Sequence, residues 1–257
     1  MRAFGRTVLI AATLMPPLGM ADAAEVRVLS VGAVQNAVRV LAAEFEKDTG
    51  DRVVLTFAAP VAAMAKIKAG ETFDALIVSE PAMDGLDRDG IVNPESRLRL
   101  ASTGLGLAVR ADAAAPDVST PEAFKQALLA ARSIAYGDPS LANQSGEKAQ
   151  KVLAAAGILD ALKEKLRIGG AQTASQEQIA KGEIEMGLYN VSEIPESKGI
   201  KLAGPVPPPL QVHTVYEGAL MSDGSEPEAS RAFIRFLAGS ETRAAWAAAR
   251  LEPLGDQ

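Results

Sequence analysis

The feature that most limits the fold is an ordered alternation of short apolar runs and amphipathic segments in the first third of the chain. Residues 26–30 have strand composition. Val34, Val38, Leu41 and Phe45 follow at spacings of four, three and four, which places them on one face of a helix, and Gly50 stands where that helix should end. Val53-Val54-Leu55-Thr56-Phe57 is β-branched and aromatic, as a second strand requires. Residues 61–69 read as helix with Gly70 as the stop. Ala75-Leu76-Ile77-Val78 is an unbroken apolar run, the signature of a strand buried on both faces, and 81–89 is a helix opened by Pro81 and closed by Gly90. This βαβαβα order predicts a parallel sheet covered by helices on both faces.

The pattern recurs in the middle of the chain. Thr120-Pro121-Glu122 joins an N-cap, a first-turn proline and an acid, with Phe124, Ala127, Leu128 and Ala131 as the buried face. A strand at 133–136, a polar loop at 137–146, a helix to about 156, a strand at 166–168 and a strand at 184–189 follow. Ser175-Gln176-Glu177-Gln178 has the form of a capping box opening a short helix. Two long extended stretches separate the repeats: 98–109, interrupted by Gly104 and Gly106, and 212–221, after a stiff connector with Pro205 and Pro207-Pro208-Pro209. Two terminal helices, 226–238 and 241–249, are anchored by Phe233, Phe236, Leu237 and Trp246.

The expected fold is therefore α/β and two-lobed, each lobe a mostly parallel sheet flanked by helices, joined by two extended hinge crossings. The first lobe is discontinuous, 24–103 plus 216–257, and the second is 104–215. Ligands of open α/β sheets sit outside the carboxyl ends of strands, near helix N-termini, so the cleft at the hinge is the expected site.

Residues 1–23 read as a signal peptide. Arg2 and Arg6 precede an apolar run at 7–15, then Pro16-Pro17 and the small-residue pattern Ala21-Asp22-Ala23, with cleavage expected near Ala23 and export to the periplasm. The apolar run is shorter than the roughly 20 residues a membrane-spanning helix needs. The chain has no cysteine, which removes disulfides, thiol nucleophiles and Cys-based metal sites. A net charge of −6 without basic clusters argues against nucleic acid, and also against holding an anion by bulk attraction. Local dipoles and donors must do it. Phosphate-loop, nucleophile-elbow and zinc-binding motifs are missing, and the one histidine, His213, argues against a metal centre.

Residues 26–37, Val26-Arg27-Val28-Leu29-Ser30-Val31-Gly32-Ala33-Val34-Gln35-Asn36-Ala37, resemble the first strand and helix of the periplasmic molybdate-binding proteins of ABC transporters. Glu44-Phe45-Glu46-Lys47-Asp48-Thr49-Gly50, Lys66-Ile67-Lys68-Ala69-Gly70, Phe73-Asp74-Ala75-Leu76-Ile77-Val78-Ser79 and Gly182-Glu183-Ile184-Glu185-Met186-Gly187-Leu188 extend the resemblance over nearly the whole mature chain. It implies a type II periplasmic-binding fold with the ligand at the hinge. In that family serines at the first two strand-to-helix turns donate hydroxyls to the oxyanion. Here the first falls on Ala33, and the second turn reads Ala58-Ala59-Pro60-Val61. The family's second-lobe tyrosine falls on Asn190, one place after Tyr189. A buried dianion needs several aligned donors, so the losses argue against molybdate. Ser133-Ile134-Ala135-Tyr136-Gly137-Asp138-Pro139 and Thr214-Val215-Tyr216 are similar to a divergent branch, which includes a periplasmic aconitate isomerase.

The expected ligand-binding residues are Ser30, Gly32, Ala33, Ala59, Val61 and Ser79 in the first lobe. In the second they are Ser140, Asn143, Gln144, Ser145, Tyr189 and Asn190. An isomerase would need a base next to a carboxylate and an acid to return the proton; His213, Tyr216 and Glu217 are the candidates, each with an ordinary structural role as the alternative. The leading expectation is a monomer that binds a small anionic solute, an organic carboxylate rather than molybdate, and delivers it to an ABC permease in the inner membrane. No cofactor, metal or nucleic acid is expected. The alternative is an enzyme interconverting trans- and cis-aconitate on the same scaffold, and a third reading is a ligand sensor for a membrane receptor.

Overall fold

A computed structural model describes residues 23–141, 144–169, 172–195 and 198–255; most of the expected signal peptide lies outside them. The first strands and helices alternate as expected: β1 (Glu25–Val31), α1 (Gln35–Thr49), β2 (Arg52–Ala58), α2 (Pro60–Lys68), β3 (Ala75–Ser79) and α3 (Glu80–Arg88). The extended stretch after α3 is two strands, β4 (Leu98–Thr103) and β5 (Leu105–Arg110), which part company at Gly104 and enter different sheets. The chain continues as α4 (Pro121–Ala130), β6 (Ile134–Tyr136), α5 (Gln144–Ala155), α6 (Leu159–Leu162), β7 (Leu166–Ile168), α7 (Gln172–Lys181), β8 (Met186–Asn190) and β9 (Ile200–Pro205). It returns through β10 (Thr214–Leu220) to α8 (Pro227–Ala238), α9 (Arg243–Ala248) and the short β11 (Glu252–Pro253).

Two sheets result. The first has the order β11-β4-β10-β3-β1-β2 and the second β7-β6-β8-β5-β9. Each is mixed. Strand β1 pairs in parallel with β2 and β3, and β6 with β7 and β8, where successive strand–helix units build the sheet. Pairing turns antiparallel where the crossing strands join: β10 with β3 and β4, and β5 with β8 and β9. The expectation of mostly parallel sheets thus holds on the side that the βα units build and gives way at the crossings.

Each sheet has its own apolar core. In the first lobe the fully buried Val28, Leu29, Leu76 and Ile77 alternate between the two faces of the sheet, and Phe45 of α1 meets Phe233 of α8 edge-on at 5.2 Å between ring centres. Trp246 closes this core with its indole N–H donated to Leu237 O at 2.9 Å, the partner a buried indole needs. Asp74, 3% exposed, ties three elements together: it accepts from the backbone of Arg27 at 2.8 Å, Ser225 at 2.8 Å and Glu226 at 3.3 Å, and from the Ser225 hydroxyl at 2.9 Å. Burial opposes its ionisation, but these donors outweigh it and hold the carboxyl below the usual carboxylate range.

The two crossings are stapled by one side chain. Gln211 donates to Leu105 O at 2.9 Å and Val206 O at 3.0 Å while accepting from Leu105 N at 2.8 Å. Gly104 makes room for it, since a Cβ there would lie 2.7 Å from the Gln211 amide. One expected helix start is corrected. Ser175 does not cap α7, which begins at Gln172; its hydroxyl lies inside the first turn, donating to Gln172 O at 2.8 Å and pairing with Tyr189 Oη at 2.7 Å. Apolar contact with Tyr189 and Ile179 draws this turn inward, and a buried serine finds its partners there.

Candidate functional site

Between the two sheets lies a cavity of about 990 Å³. Its first-lobe wall comes from the turns that end β1 and β2. Val31, Gly32 and Ala33 lead into α1, and Ala58, Ala59 and Pro60 lead into α2. Neither helix has a side chain hydrogen-bonded to its first turn. No side chain competes for the first turns, at the end of each helix where the dipole favours an anion; in α1 the Gln35 N–H is bonded to Gly32 O by the preceding turn. A Cβ on Gly32 would meet nothing within 4 Å, so this turn is open. Gln35 and Asn36 add amides from α1, and Arg250 adds a cation from the far end of α9.

Arg250 has φ 60°, the left-handed conformation that a helix usually hands to glycine. The bonds Arg250 N to Ala247 O at 2.9 Å and Leu251 N to Trp246 O at 3.0 Å make it the residue just past the end of α9. A non-glycine residue there carries backbone strain of about 1 kcal/mol. That strain sits at the rim of the cavity.

The second-lobe wall is polar and connected. Ser145, at the start of α5, donates to Gln172 Oε1 at 3.1 Å. Gln172 hydrogen-bonds the Glu193 carboxyl, and Asn190 donates to Glu193 Oε2 at 2.7 Å. Gln176 fixes the same residue through its backbone, donating to Glu193 O at 2.8 Å. Asn190 also lies 3.5 Å from Tyr216 Oη, which belongs to β10 of the first sheet, so the network bridges the lobes. Asn190 is 3% exposed, and its Oδ1, like Ser192 Oγ, is buried without a partner among the described residues. Both atoms belong to cavity-lining residues and are available to a ligand.

Behind this wall Lys148 is 5% exposed and donates to Thr103 O, at the end of β4 in the first sheet, at 3.3 Å. Burial brings its ammonium down to about 8, against the attraction of Glu193. Burial pushes the Glu193 carboxyl up, against the hydrogen bonds from Asn190 and Gln172 and the charge on Lys148. Tyr216 is raised well above the ordinary phenol by burial and then by the Glu193 charge, with a hydrogen bond to Thr214 opposing, so it stays protonated at neutral pH. An ammonium whose hold on its proton is weakened by burial and a carboxyl whose hold is strengthened therefore act on each other beside a cavity. This is the pattern of a proton-handling site.

The expected residues divide by place. Gly32, Ala33, Ala59, Ser145, Asn190 and Tyr216 line the cavity. Ser30 is fully buried inside β1 with its hydroxyl near Val31 O at 3.3 Å, and Ser79 is buried at the end of β3. Val61 is 57% exposed on α2, facing away. Ser140 folds back onto Asp138 with contacts of 2.9 and 2.7 Å. Tyr189 packs in the second core, where burial pushes it up to about 12 against its bond to Ser175; strand alternation gives the cavity to Asn190 instead. Asn143 and the side chain of Gln144 lie outside the described residues.

Of the three residues named for chemistry, Tyr216 alone reaches the cavity. Glu217 turns away, and a register shift between Tyr216 and Glu217 in the pairing with β4 marks the place. Bulges of this kind re-aim side chains. Glu217 accepts from Arg97 at 2.7 and 3.0 Å, and Arg97 also holds Asp84 and Asp87, which raises the guanidinium still further above its ordinary range. His213 pairs with Glu252 at 3.3 Å, half-exposed and outside the cavity lining.

Comparison with known proteins accords with this geometry. Residues 26–249 match the profile of the bacterial extracellular solute-binding proteins, and the chain belongs to that family. Among its relatives is an aconitate isomerase of a Pseudomonas species, 31% identical over 97% of this chain and 95% of the relative. A molybdate-binding protein of Azotobacter vinelandii is 26% identical over 85% of this chain and 86% of the relative. A solved periplasmic molybdate-binding protein from Azotobacter vinelandii superposes with a TM-score of 0.72 at 22% identity, covering 90% of this chain and 100% of that one. The fold is that of the type II periplasmic-binding proteins.

Proposed function

We propose that this protein, exported to the periplasm by residues 1–23, captures a small organic polycarboxylate between lobes hinged near residues 103–104 and 215–216, and passes it to an ABC permease. The observation that carries the reading is the make-up of the cavity. Its turns at Ala33 and Ala58–Ala59 offer backbone N–H groups and no hydroxyls, opposite the network of Ser145, Gln172, Asn190 and Glu193. A compact tetrahedral oxyanion needs converging donors from both sides. A longer anion needs separated ones, one carboxylate at the helix starts and Arg250, another at the amides of the second lobe. The volume is at the upper end of the range for small organic ligands, about 300–1,000 Å³.

The test is a thermal-shift and calorimetry series with trans-aconitate, cis-aconitate, citrate and molybdate. A tricarboxylate should raise the melting temperature, because a ligand of the folded state alone stabilises it. Submicromolar affinity for molybdate, with no response to carboxylates, would overturn the reading.

A second reading is favoured by the likeness to aconitate isomerase together with the carboxyl of Glu193 in the cavity wall: the captured ligand is isomerised there. A proton NMR time course with trans-aconitate at micromolar protein decides it. Growth of cis-aconitate signals supports catalysis, and an unchanged spectrum with a positive thermal shift leaves binding alone.

A further inference from the structure

We infer that Glu193 is the group that moves a proton on the bound ligand, taking it from the carbon beside a carboxylate and returning it at the far end of the adjoining double bond, with Lys148 as its positioning residue. This rests on the second reading above, in which the captured carboxylate is isomerised, and assigns its chemistry to one side chain.

Three observations carry the inference. Glu193 is the only carboxylate on the second-lobe wall that the described residues fix on several sides: Asn190 and Gln172 hold the side chain, and Gln176 holds the backbone. A group that must meet a carbon atom has to be held within a fraction of an ångström, and a network of neutral amides does this without neutralising the base. The other cavity carboxylate, Asp138, is occupied by the backbone N–H and hydroxyl of Ser140. Next, among the described residues the buried Lys148 makes one hydrogen bond, to Thr103 O, and the charge that acts on it is that of Glu193. Burying an ammonium so sparsely hydrogen-bonded is costly to a fold, and an apolar residue would suit that place better. Its placement therefore answers to Glu193. Finally, Asn190 Oδ1 and the Tyr216 hydroxyl lie beside the same carboxylate, so the charge that develops on the ligand's carboxyl oxygens meets a protonated phenol.

On trans-aconitate the step balances without a co-reactant. The methylene C–H bond breaks, a carboxylate oxygen of Glu193 takes the proton, and the freed electron pair forms a new C=C to the central carbon while the former π pair shifts to the vinyl carbon and its carboxylate. The same O–H bond then breaks as the proton passes to the former vinyl carbon. The double bond moves by one position and nothing is oxidised or reduced. The charged and titratable groups facing Glu193 are Lys148 from α5 and Tyr216 from β10, with Asp138, Lys198 and Arg250 elsewhere on the cavity lining. Conversion should rise with pH as Glu193 ionises.

The experiment compares wild type, Glu193→Gln, Glu193→Asp and Lys148→Met, each checked by circular dichroism. Conversion and deuterium entry at the methylene are followed by NMR with trans-aconitate in D2O, and binding by thermal shift with the same compound. Glu193→Gln should keep affinity within about threefold and lose at least about 100-fold in conversion, the usual share of a general base. Glu193→Asp should keep part of the rate with a displaced acid limb. Lys148→Met should remain active with its acid limb moved to higher pH, because a positive charge that favours the ionised carboxyl is gone. A Glu193→Gln protein that converts within about tenfold of wild type overturns the proposal. So does wild type that binds but neither converts nor exchanges. Should Glu193→Gln fail to fold, an unmoved acid limb in Glu193→Asp overturns it instead, and an unmoved limb in Lys148→Met removes that residue's part. Wild type with no thermal shift for any carboxylate refutes the binding reading itself, and this proposal with it.

Discussion

The two lobes use their buried polar groups for different ends. In the first, Asp74 and Glu217 are turned into the scaffold: one gathers the starts of β1 and α8, the other pins Arg97 across α3 and β10. In the second, Asn190 and Glu193 line the cavity, and Lys148 lies buried behind them. The difference teaches that burial of a charge does not by itself mark function. What marks it is whether the group's hydrogen bonds are complete. Asp74 meets four donors and Glu217 a guanidinium, whereas among the described residues Asn190 Oδ1 is unpartnered and Lys148 has one carbonyl.

This contrast can be broken by substitution. The largest effect belongs to Asp74→Ala, which leaves the four donors without an acceptor and should cost about 3 kcal/mol, read as a fall in denaturant midpoint. Because the folded carboxyl lies below its ordinary value, the stability it gives is present above about pH 4 and is lost as the pH falls through the folded value. The alanine variant should therefore show a flatter acid limb of stability. Glu217→Ala comes next, at about 2 kcal/mol, since Arg97 keeps Asp84 and Asp87; ligand affinity should stay as it was.

Lys148→Met should act in the opposite direction. It should raise stability at pH 7 by about 2 kcal/mol, less than the full shift from 10.5 to about 8 implies because the attraction of Glu193 is lost as well. The sign follows from proton counts. Between pH 8 and 10.5 the folded wild type binds fewer protons than the unfolded chain, so wild-type stability rises through that window and the variant's advantage should vanish above it. A destabilised variant at pH 7 would refute the division between the lobes. The smallest effect on folding belongs to Arg250→Gly, which relieves a left-handed arginine and should leave stability unchanged or raised by at most about 1 kcal/mol. Its carboxylate affinity should nonetheless fall by about tenfold, the share of one charge-assisted bond, measurable by calorimetry.

The fold was largely legible in the sequence because its units are strongly periodic. Strands β1 to β3 and their helices carry unmixed apolar runs, and even the separation of β4 from β5 is signalled by Gly104. Strand β9 was missed because Lys201, Gly204 and Pro205 interrupt its pattern at an edge of the sheet, and β11 because two residues carry no period. The site was legible only in part. The turns at Gly32, Ala33 and Ala59 follow from topology, and so does Asn190. Lys148 had a readable signal: it falls with Ser145, Ala149 and Val152 on the buried stripe of α5, where a lysine is out of place. Arg250 gave none, since a positive φ at a non-glycine residue is a matter of how α9 ends against its neighbours. Glu193, three residues past Asn190, owes its surroundings to α5 and α7, which no local pattern brings together.

The sheet order has a consequence for how the molecule is assembled. Strand β10 lies between β3 and β4, so the first sheet lacks its middle until residues 214–220 arrive, whereas every strand of the second lies within residues 105–205. The lobe that starts the chain is therefore the last to close. Joining β4 to β10 through an unstructured loop of about a hundred residues would carry a heavy entropic penalty. Once the second lobe has formed, the Gln211 staple brings Leu105 and Val206 side by side and turns that loop into a short one. Pulse-labelled hydrogen exchange should find the amides of β5 and β8 protected before those of β3 and β10, the inserted lobe acting as the template on which its host completes itself.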